Sequence, residues 1–291
     1  MATRYELPAD DERTTLRTNV IRALMAVPMH FTSSISMEGL RATDLFALNT
    51  LLGGAIEEQT VKTLNATRSI WDPEQKYANY EFRRYSESFP DVRLQKADSA
   101  ELPKIGIELK GWYLLSKERE PSFRFKASAD AMTEWDLIAV FPWSLSEVLS
   151  GAPELGDPFI EQAKYAADMR TEYWESRSDK AKKVEHPDTH PYPDAGSAYS
   201  DIVHDDGGGN FGRIARVKGL MDEWVEKTLE TPLAGINAKY WIDFFKCFDE
   251  KNDRTKIEKK IEVIAQKNKK DDAWTDDVWN TLVKLVDLLK P

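Results

Sequence analysis

The chain has 291 residues, 41% of them hydrophobic, which is enough to bury the core of one large domain or of two smaller ones. Its net charge of −10 argues against a surface that binds nucleic acid everywhere, but it is compatible with a basic cleft on an acidic body. The one cysteine, Cys247, lies in an apolar helical pattern and excludes a disulfide framework within the chain, and no apolar run is long enough to span a bilayer. We therefore expect a soluble cytoplasmic protein.

The first half of the chain predicts one helix followed by three strands. Apolar residues recur at helical spacing over residues 43–66, with two adjacent glycines that weaken the helix locally. Strands are predicted over residues 89–95 and 105–115, and the segment WDLIAVFPW at residues 135–143 is almost continuously apolar. Such a run is typical of a strand covered on both faces, and Pro142 is expected to mark its end.

The second half is predicted to be mainly helical. Large aromatic side chains recur along a helix over residues 158–177, and a segment rich in proline and aspartate follows at residues 185–197. We interpret this segment as a loop or a domain boundary. One more strand is predicted over residues 198–204, and further helices are predicted over residues 213–229 and 276–290.

The segment IGIELKGW carries an acid and a base within a predicted strand. Side chains alternate between the two faces of a strand, so Glu108 and Lys110 share one face with Gly106, while Ile105, Ile107 and Leu109 share the other. An edge strand with a solvated polar face would explain this pattern without any function. A buried pair would instead indicate function, because desolvation makes a buried ion pair a poor source of stability.

Asp91 adds a second carboxylate at the start of the preceding strand. Pairing of the two strands would bring Asp91 close to Glu108, with the Lys110 ammonium beside them. Two carboxylates with room for water and phosphate oxygens are typical of a Mg²⁺ site. A metal held there could polarise a phosphodiester, and Lys110 could orient or deprotonate the attacking water.

The arrangement FPD, a gap of 16 residues and then ELK, on successive strands after a helix, resembles the PD-(D/E)xK nuclease superfamily. The length of the chain favours the type II restriction endonuclease branch. The resemblance implies that Asp91 and Glu108 are the catalytic acids and the metal ligands, and that Lys110 is the catalytic lysine. Many members carry a further acid on the helix before the first strand, which here is Glu58 or Glu57.

The same resemblance implies the fold and the partners. The fold is expected to be α/β (α+β), with a restriction-endonuclease-like core in which a mixed central β-sheet is flanked by helices in the order α-β-β-β-α-β, followed by additional C-terminal helices. We expect one nuclease domain over residues 1–291, with a catalytic core at about 44–177 and a mainly helical part at about 198–291 that could form a subdomain. The expected partners are double-stranded DNA, a second copy of the chain, and a cognate DNA methyltransferase that is not a stable subunit. No membrane partner is expected.

Basic residues elsewhere are weaker candidates for contacts with DNA phosphates. Those that flank the proposed site, or follow the glycine-rich segment HDDGGGNFGRIARVKG, are Arg83, Arg84, Arg124, Lys126, Arg213 and Arg216. The glycine-rich segment is more simply interpreted as a flexible loop with Asn210 as a helix cap. His186 and His190 are each followed by proline, so their spacing does not predict a zinc site.

Two other functions are compatible with the sequence. One is a different nuclease of the superfamily, acting in repair, DNA transfer or modification-dependent defence. The other is a DNA-binding protein that keeps the fold without catalysis. Because the acidic and basic motif positions are all filled, the sequence favours an active enzyme.

Overall fold

The computed structural model describes residues 2–33, 35–38, 52–86, 88–97, 99–177, 183–248 and 253–269. Its α-helices are α1 (Glu12–His30), α2 (Gly53–Ala66), α3 (Arg68–Trp71), α4 (Ala163–Ser176), α5 (Asp222–Leu229), α6 (Ala238–Phe245) and α7 (Arg254–Lys269). Its strands are β1 (Tyr80–Arg84), β2 (Val92–Lys96), β3 (Ile105–Tyr113), β4 (Leu137–Leu145), β5 (Pro153–Leu155), β6 (Phe159–Gln162), β7 (Pro232–Leu233) and β8 (Ile236–Asn237).

The main sheet has six strands and mixed directions. Strands β1, β2 and β3 form an antiparallel meander, and β3 pairs with β4 in parallel. Strands β5 and β6 are both antiparallel to β4 and occupy successive stretches along its other edge. The remaining two strands, β7 and β8, form a separate hairpin. The protein is therefore a mixed α/β structure.

Helices pack on both faces of the sheet. Gly111 and Trp112 are neighbours in β3 and point to opposite faces. A Cβ at Gly111 would lie only 3.0 Å from Ile56 Cδ1 of α2, so the glycine allows this helix a close approach. On the other face, the ring of Trp112 lies 5.5 Å from the ring of Trp224 in α5. Every residue of β4 is buried, which confirms that this strand is covered on both sides.

Pro142 does not end β4, contrary to the prediction. The strand continues to Leu145, and Pro142 lies between the stretch that pairs with β6, which ends at Val140, and the stretch that pairs with β5, which begins at Trp143. A missing N–H is tolerated at such a gap because no ladder hydrogen bond is lost there. The Pro142 carbonyl still accepts a hydrogen bond from the Gly156 N–H at 2.8 Å.

Helix α2 confirms residues 53–66 of the helix predicted over 43–66, and residues 43–51 lie outside the described residues. Helix α4 begins at Ala163 rather than 158, because residues 159–162 form β6 and pair with β4 instead.

Two predictions in the C-terminal half are wrong. Residues 198–204 form no strand, since Ser200 bridges to Ala127 while Ile202 bridges to Glu185, and two different partners cannot form one ladder. Residues 213–229 form no continuous helix, because a 3₁₀ turn at 214–216 is separated from α5 by Gly219 with φ +81°. The helix predicted over residues 276–290 lies outside the described residues.

Several elements are not predicted from the sequence, and α1 and β1 are two of them. Helix α1 buries residues at helical spacing and packs against α2 and α3. Asp11 caps its N-terminus, since the Asp11 side chain accepts a hydrogen bond from the Arg13 N–H. Strand β1 lengthens the antiparallel meander beyond β2. Hydrophobic residues from α1 through α6 belong to one core cluster.

Within the described ranges, no helix is long and apolar enough to cross a membrane.

Candidate functional site

Asp91 and Glu108 come together because β2 and β3 are antiparallel neighbours. Val92 is paired with Ile107, and the same register continued by one residue places Asp91 opposite Glu108. The Asp91 Oδ2 atom accepts a hydrogen bond from the Leu109 N–H at 2.8 Å, which fixes the orientation of the carboxylate. The predicted juxtaposition of the two acids is therefore present.

Lys110 lies between the two carboxylates. Its Nζ atom is 2.5 Å from Glu108 Oε1 and 3.7 Å from Asp91 Oδ2, and it also donates to the Leu109 carbonyl at 3.1 Å. One ammonium group reaches both acids, so both carboxylates face the same small volume. The apolar residues Ile107 and Leu109 are buried on the opposite face, as the alternation predicts.

The electrostatics of this cluster follow from its burial and its excess of negative charge. Burial, reinforced by the nearby Glu108 carboxylate, raises the pKa of Asp91 well above its usual value. Burial opposes the charged form of Lys110, but the Glu108 and Asp91 carboxylates outweigh it and hold the pKa of the ammonium above its usual value. The ammonium therefore acts as a hydrogen-bond donor in this arrangement.

The structure distinguishes between Glu57 and Glu58 on α2. The Glu57 side chain is 20% exposed and its negative charge acts on both Asp91 and Lys110. The Glu58 side chain is 60% exposed and forms an ion pair with Lys62 along the helix at 2.6 Å. Of the two candidates, Glu57 is thus the acid that borders the site.

The donor set suits a small divalent cation. Mg²⁺ commonly binds one or two protein carboxylates and keeps water as its other ligands, and it does not require a cage of protein groups. Asp91 and Glu108 meet this need, and Glu57 adds a third negative charge, which Lys110 and Arg84 offset in part. In the part of the chain that the structure describes, no group of three or more histidine, cysteine, aspartate or glutamate side chains is arranged to hold a metal ion.

Of the six basic residues predicted to contact DNA, Arg84 lies at the site. Its Nε atom donates to Glu57 Oε2 at 2.7 Å, and its guanidinium is partly exposed at the rim. Its neighbour Arg83 instead pairs with Glu81 on the same strand.

The other four basic residues lie around the glycine-rich segment. Arg124 forms an ion pair with Asp206, and Arg216 forms one with Glu120 at 2.6 Å. The remaining two, Lys126 and Arg213, are partly buried.

The segment itself is a loop packed on residues 124–126, where the Gly212 carbonyl accepts from the Phe125 N–H at 2.7 Å. No α-helix begins at Asn210, so its predicted capping role is wrong. The Asn210 Oδ1 atom accepts from Arg216 instead.

One neighbour of the site was not predicted from the sequence. Tyr199 packs its ring against Phe89, with 5.6 Å between the ring centroids, and the charges of Glu108, Asp91 and Lys110 all act on its hydroxyl. It lies within residues 198–204, where a strand is predicted but not formed, and a local pattern does not show which distant residues such a segment meets.

Other side chains with reactive chemistry are engaged elsewhere. Asp201 is fully buried, forms an ion pair with Arg170 and also contacts His186 Nδ1 at 2.9 Å. His190 Nδ1 is 3.0 Å from the adjacent Pro191 carbonyl, and Cys247 is buried after α6.

Comparison with protein-family models, with curated proteins and with solved structures gave no match. The chemistry of the site is therefore the basis for assigning a function.

Proposed function

We propose that the chain is a Mg²⁺-dependent endonuclease that hydrolyses phosphodiester bonds in double-stranded DNA as a type II restriction enzyme of the PD-(D/E)xK superfamily. The observation that carries the proposal is the convergence of Asp91, Glu108 and Lys110 from two adjacent antiparallel strands. A buried carboxylate, a partly buried one and an ammonium at one point are the groups that metal-assisted hydrolysis of a phosphodiester needs.

The architecture around these strands supports the same proposal. Strands β2, β3 and β4 are preceded by α2 and followed by α4, as expected for most of a restriction-endonuclease-like core. The strand expected after α4 is not formed, since residues 198–204 make only isolated bridges. The assignment of the core to this fold family is therefore part of the proposal.

The metal and the side chains have separate tasks in this reaction. A Mg²⁺ ion bound by Asp91 and Glu108 would neutralise their charge, polarise a phosphate oxygen and lower the pKa of a water molecule. The Leu109 N–H holds Asp91 in its binding orientation. Lys110 donates to the attacking water or to the negative charge that develops on the phosphate.

Arg84 and Glu57 act at the rim of the site. Arg84 is partly exposed and meets an incoming phosphate before it reaches Asp91 and Glu108. Glu57 reinforces the negative potential that attracts the cation, since its charge acts on Asp91 and Lys110. The pair thus places a donor for the substrate beside an acid for the metal.

The test is cleavage of unmethylated phage DNA by the purified protein in Mg²⁺. We expect discrete fragments from the wild type and no cleavage by Asp91→Asn, Glu108→Gln or Lys110→Ala. Each of these variants should still bind DNA in Ca²⁺, because the substitutions remove catalytic groups and leave the rest of the protein surface that binds DNA unchanged.

The chain offers a matched control with the same sequence pattern. Glu74 and Lys76 also have one residue between them and form an ion pair at 2.8 Å, but both side chains are largely exposed. Glu74→Gln and Lys76→Ala should therefore cleave like the wild type. A smear in place of fragments would indicate another nuclease of the superfamily, and binding without cleavage in any divalent metal would indicate a non-catalytic DNA-binding protein.

A further inference from the structure

Tyr199 is brought to the site from a segment about ninety residues beyond the motif strands. Its ring packs against Phe89, two residues before Asp91. Phe89 also contacts Phe125, with 6.3 Å between the ring centroids, so an aromatic cluster joins the Tyr199 segment to the start of β2. Tyr199 therefore lies beside the start of β2, where the charges of Asp91, Glu108 and Lys110 act on its hydroxyl.

The backbone around Tyr199 is held in place on both sides. The Tyr199 carbonyl accepts a hydrogen bond from the Ser128 N–H at 2.8 Å, and the Asp201 N–H donates to the Lys126 carbonyl at 2.9 Å. The Asp201 side chain is fully buried and paired with Arg170, which also donates to backbone carbonyls of the 125–127 segment. This anchor restricts the positions that the tyrosine ring can take.

The Tyr199 hydroxyl is a donor that is still available. It makes no hydrogen bond to any other residue that the structure describes, and its oxygen is not buried away from solvent. By contrast, Lys110 is paired with Glu108 and Arg84 with Glu57, so each shares its hydrogens between a glutamate and the substrate. Carboxylates only accept hydrogen bonds, so an anionic phosphate entering this cluster needs donors that are not already committed.

We propose that Tyr199 contacts the substrate directly, donating its hydroxyl hydrogen to a non-bridging oxygen of the phosphodiester held at Asp91, Glu108 and Lys110. This inference rests on the proposed nuclease function. The hydroxyl carries no charge, so it can lie close to both the phosphate and the acids without affecting the ion pair between Lys110 and Glu108. Its hydrogen bond becomes stronger as negative charge builds up on the phosphate oxygens in the transition state.

The experiment compares Tyr199→Phe with the wild type in turnover at saturating DNA and in DNA affinity measured in Ca²⁺. We expect turnover to fall on the order of 10- to 100-fold, the usual effect of losing a hydrogen bond to a charged group. DNA affinity should change by less than about threefold, because phosphate contacts along the whole duplex dominate binding. The ring remains in place, so the variant should unfold at the same temperature as the wild type.

Tyr165→Phe is the matched control, because it removes one hydroxyl from α4, where the ring lies beneath the Arg4 guanidinium. It should cleave at the wild-type rate. If the wild type cleaves and Tyr199→Phe turns over equally fast, the role of Tyr199 is refuted and the nuclease proposal stands. A loss of DNA affinity without a loss of turnover would also refute it. If the wild type does not cleave DNA in any divalent metal, both proposals fail.

Discussion

The two adjacent glutamates of α2 show how one residue step changes chemistry. Successive residues of an α-helix are turned by about 100° around its axis, so Glu57 and Glu58 cannot face the same surroundings. Glu57 meets Arg84 and the charges of the acid cluster, whereas Glu58 meets Lys62 and solvent. The same side chain is therefore a site residue at one position and a surface residue at the next.

This difference is directly testable, because each glutamate is the control for the other. Glu57→Gln should lower the rate of DNA cleavage on the order of tenfold or more, as expected for a group that supports a metal site from outside its first ligands. Glu58→Gln should leave the rate within about twofold. Both rates are measured at several Mg²⁺ concentrations, and the Glu57→Gln defect should diminish as Mg²⁺ rises. Equal effects of the two substitutions would contradict the assignment.

At the scale of whole elements, Asp136 connects the strands of the site to the loop at 185–197. Its carboxylate is fully buried and accepts three hydrogen bonds, from the Gly106 N–H of β3, the Thr133 N–H before β4 and the Tyr192 hydroxyl of the loop. Burial raises the pKa of Asp136 from 3.8 to about 6, although these three hydrogen bonds favour the charged form. One side chain thus couples the stability of the site to pH.

The direction of this coupling follows from proton binding. Between pH 3.8 and about 6 the folded state binds more protons at Asp136 than the unfolded state does, so folding stability falls as pH rises through this range. The contribution of Asp136 is complete below about pH 4 and is lost above about pH 6. Its size is roughly 3 kcal/mol, at 1.36 kcal/mol for each pKa unit.

Urea unfolding of the wild type and of Asp136→Asn between pH 4 and pH 7 measures this coupling. The stability of the wild type relative to the variant should fall by roughly 3 kcal/mol over this range. Asp194→Asn, an exposed position in the same loop, should show no such change relative to the wild type. A wild type that gains relative stability with rising pH would contradict the raised pKa.

At the scale of the whole molecule, the net charge of −10 limits how DNA can be bound. Several of the arginines that could meet DNA are paired with carboxylates, as Arg84 is with Glu57 and Arg216 is with Glu120. If the proposed function holds, an acidic body gains little from nonspecific attraction to phosphates, so affinity for DNA would come from a matched site. A homodimer that reads a symmetric sequence would double the specific contacts and place one active site on each strand.

We therefore expect one target sequence to be bound on the order of a thousandfold more tightly than random duplex at physiological salt. Binding is measured in Ca²⁺ with a cleaved fragment and a scrambled control of equal length, and sedimentation of the complex should give two protein chains for each duplex. Equal affinity for both duplexes, with a steep dependence on salt, would instead indicate a nonspecific nuclease.

Much of the fold around the site could be predicted because the relevant patterns are local. The alternation in IGIELKGW placed Glu108 and Lys110 on one face of β3, and the apolar run of β4 indicated burial on both faces. The buried residues of α1 recur at helical spacing, so the sequence also contains the pattern that indicates this helix. Patterns of this kind depend only on the backbone geometry of each segment.

The sequence by itself determined the periodicity of β3 and β4 and the acids that could meet across two strands, because side-chain direction within a strand is a local property. The tertiary structure decided which partner each segment meets. It paired residues 159–162 with β4 in place of extending α4, and it placed Glu57 rather than Glu58 beside the acids. It also carried Tyr199 to the site through hydrogen bonds to residues 126–128. These outcomes depend on contacts between segments distant in the chain, whose free energies no local pattern contains.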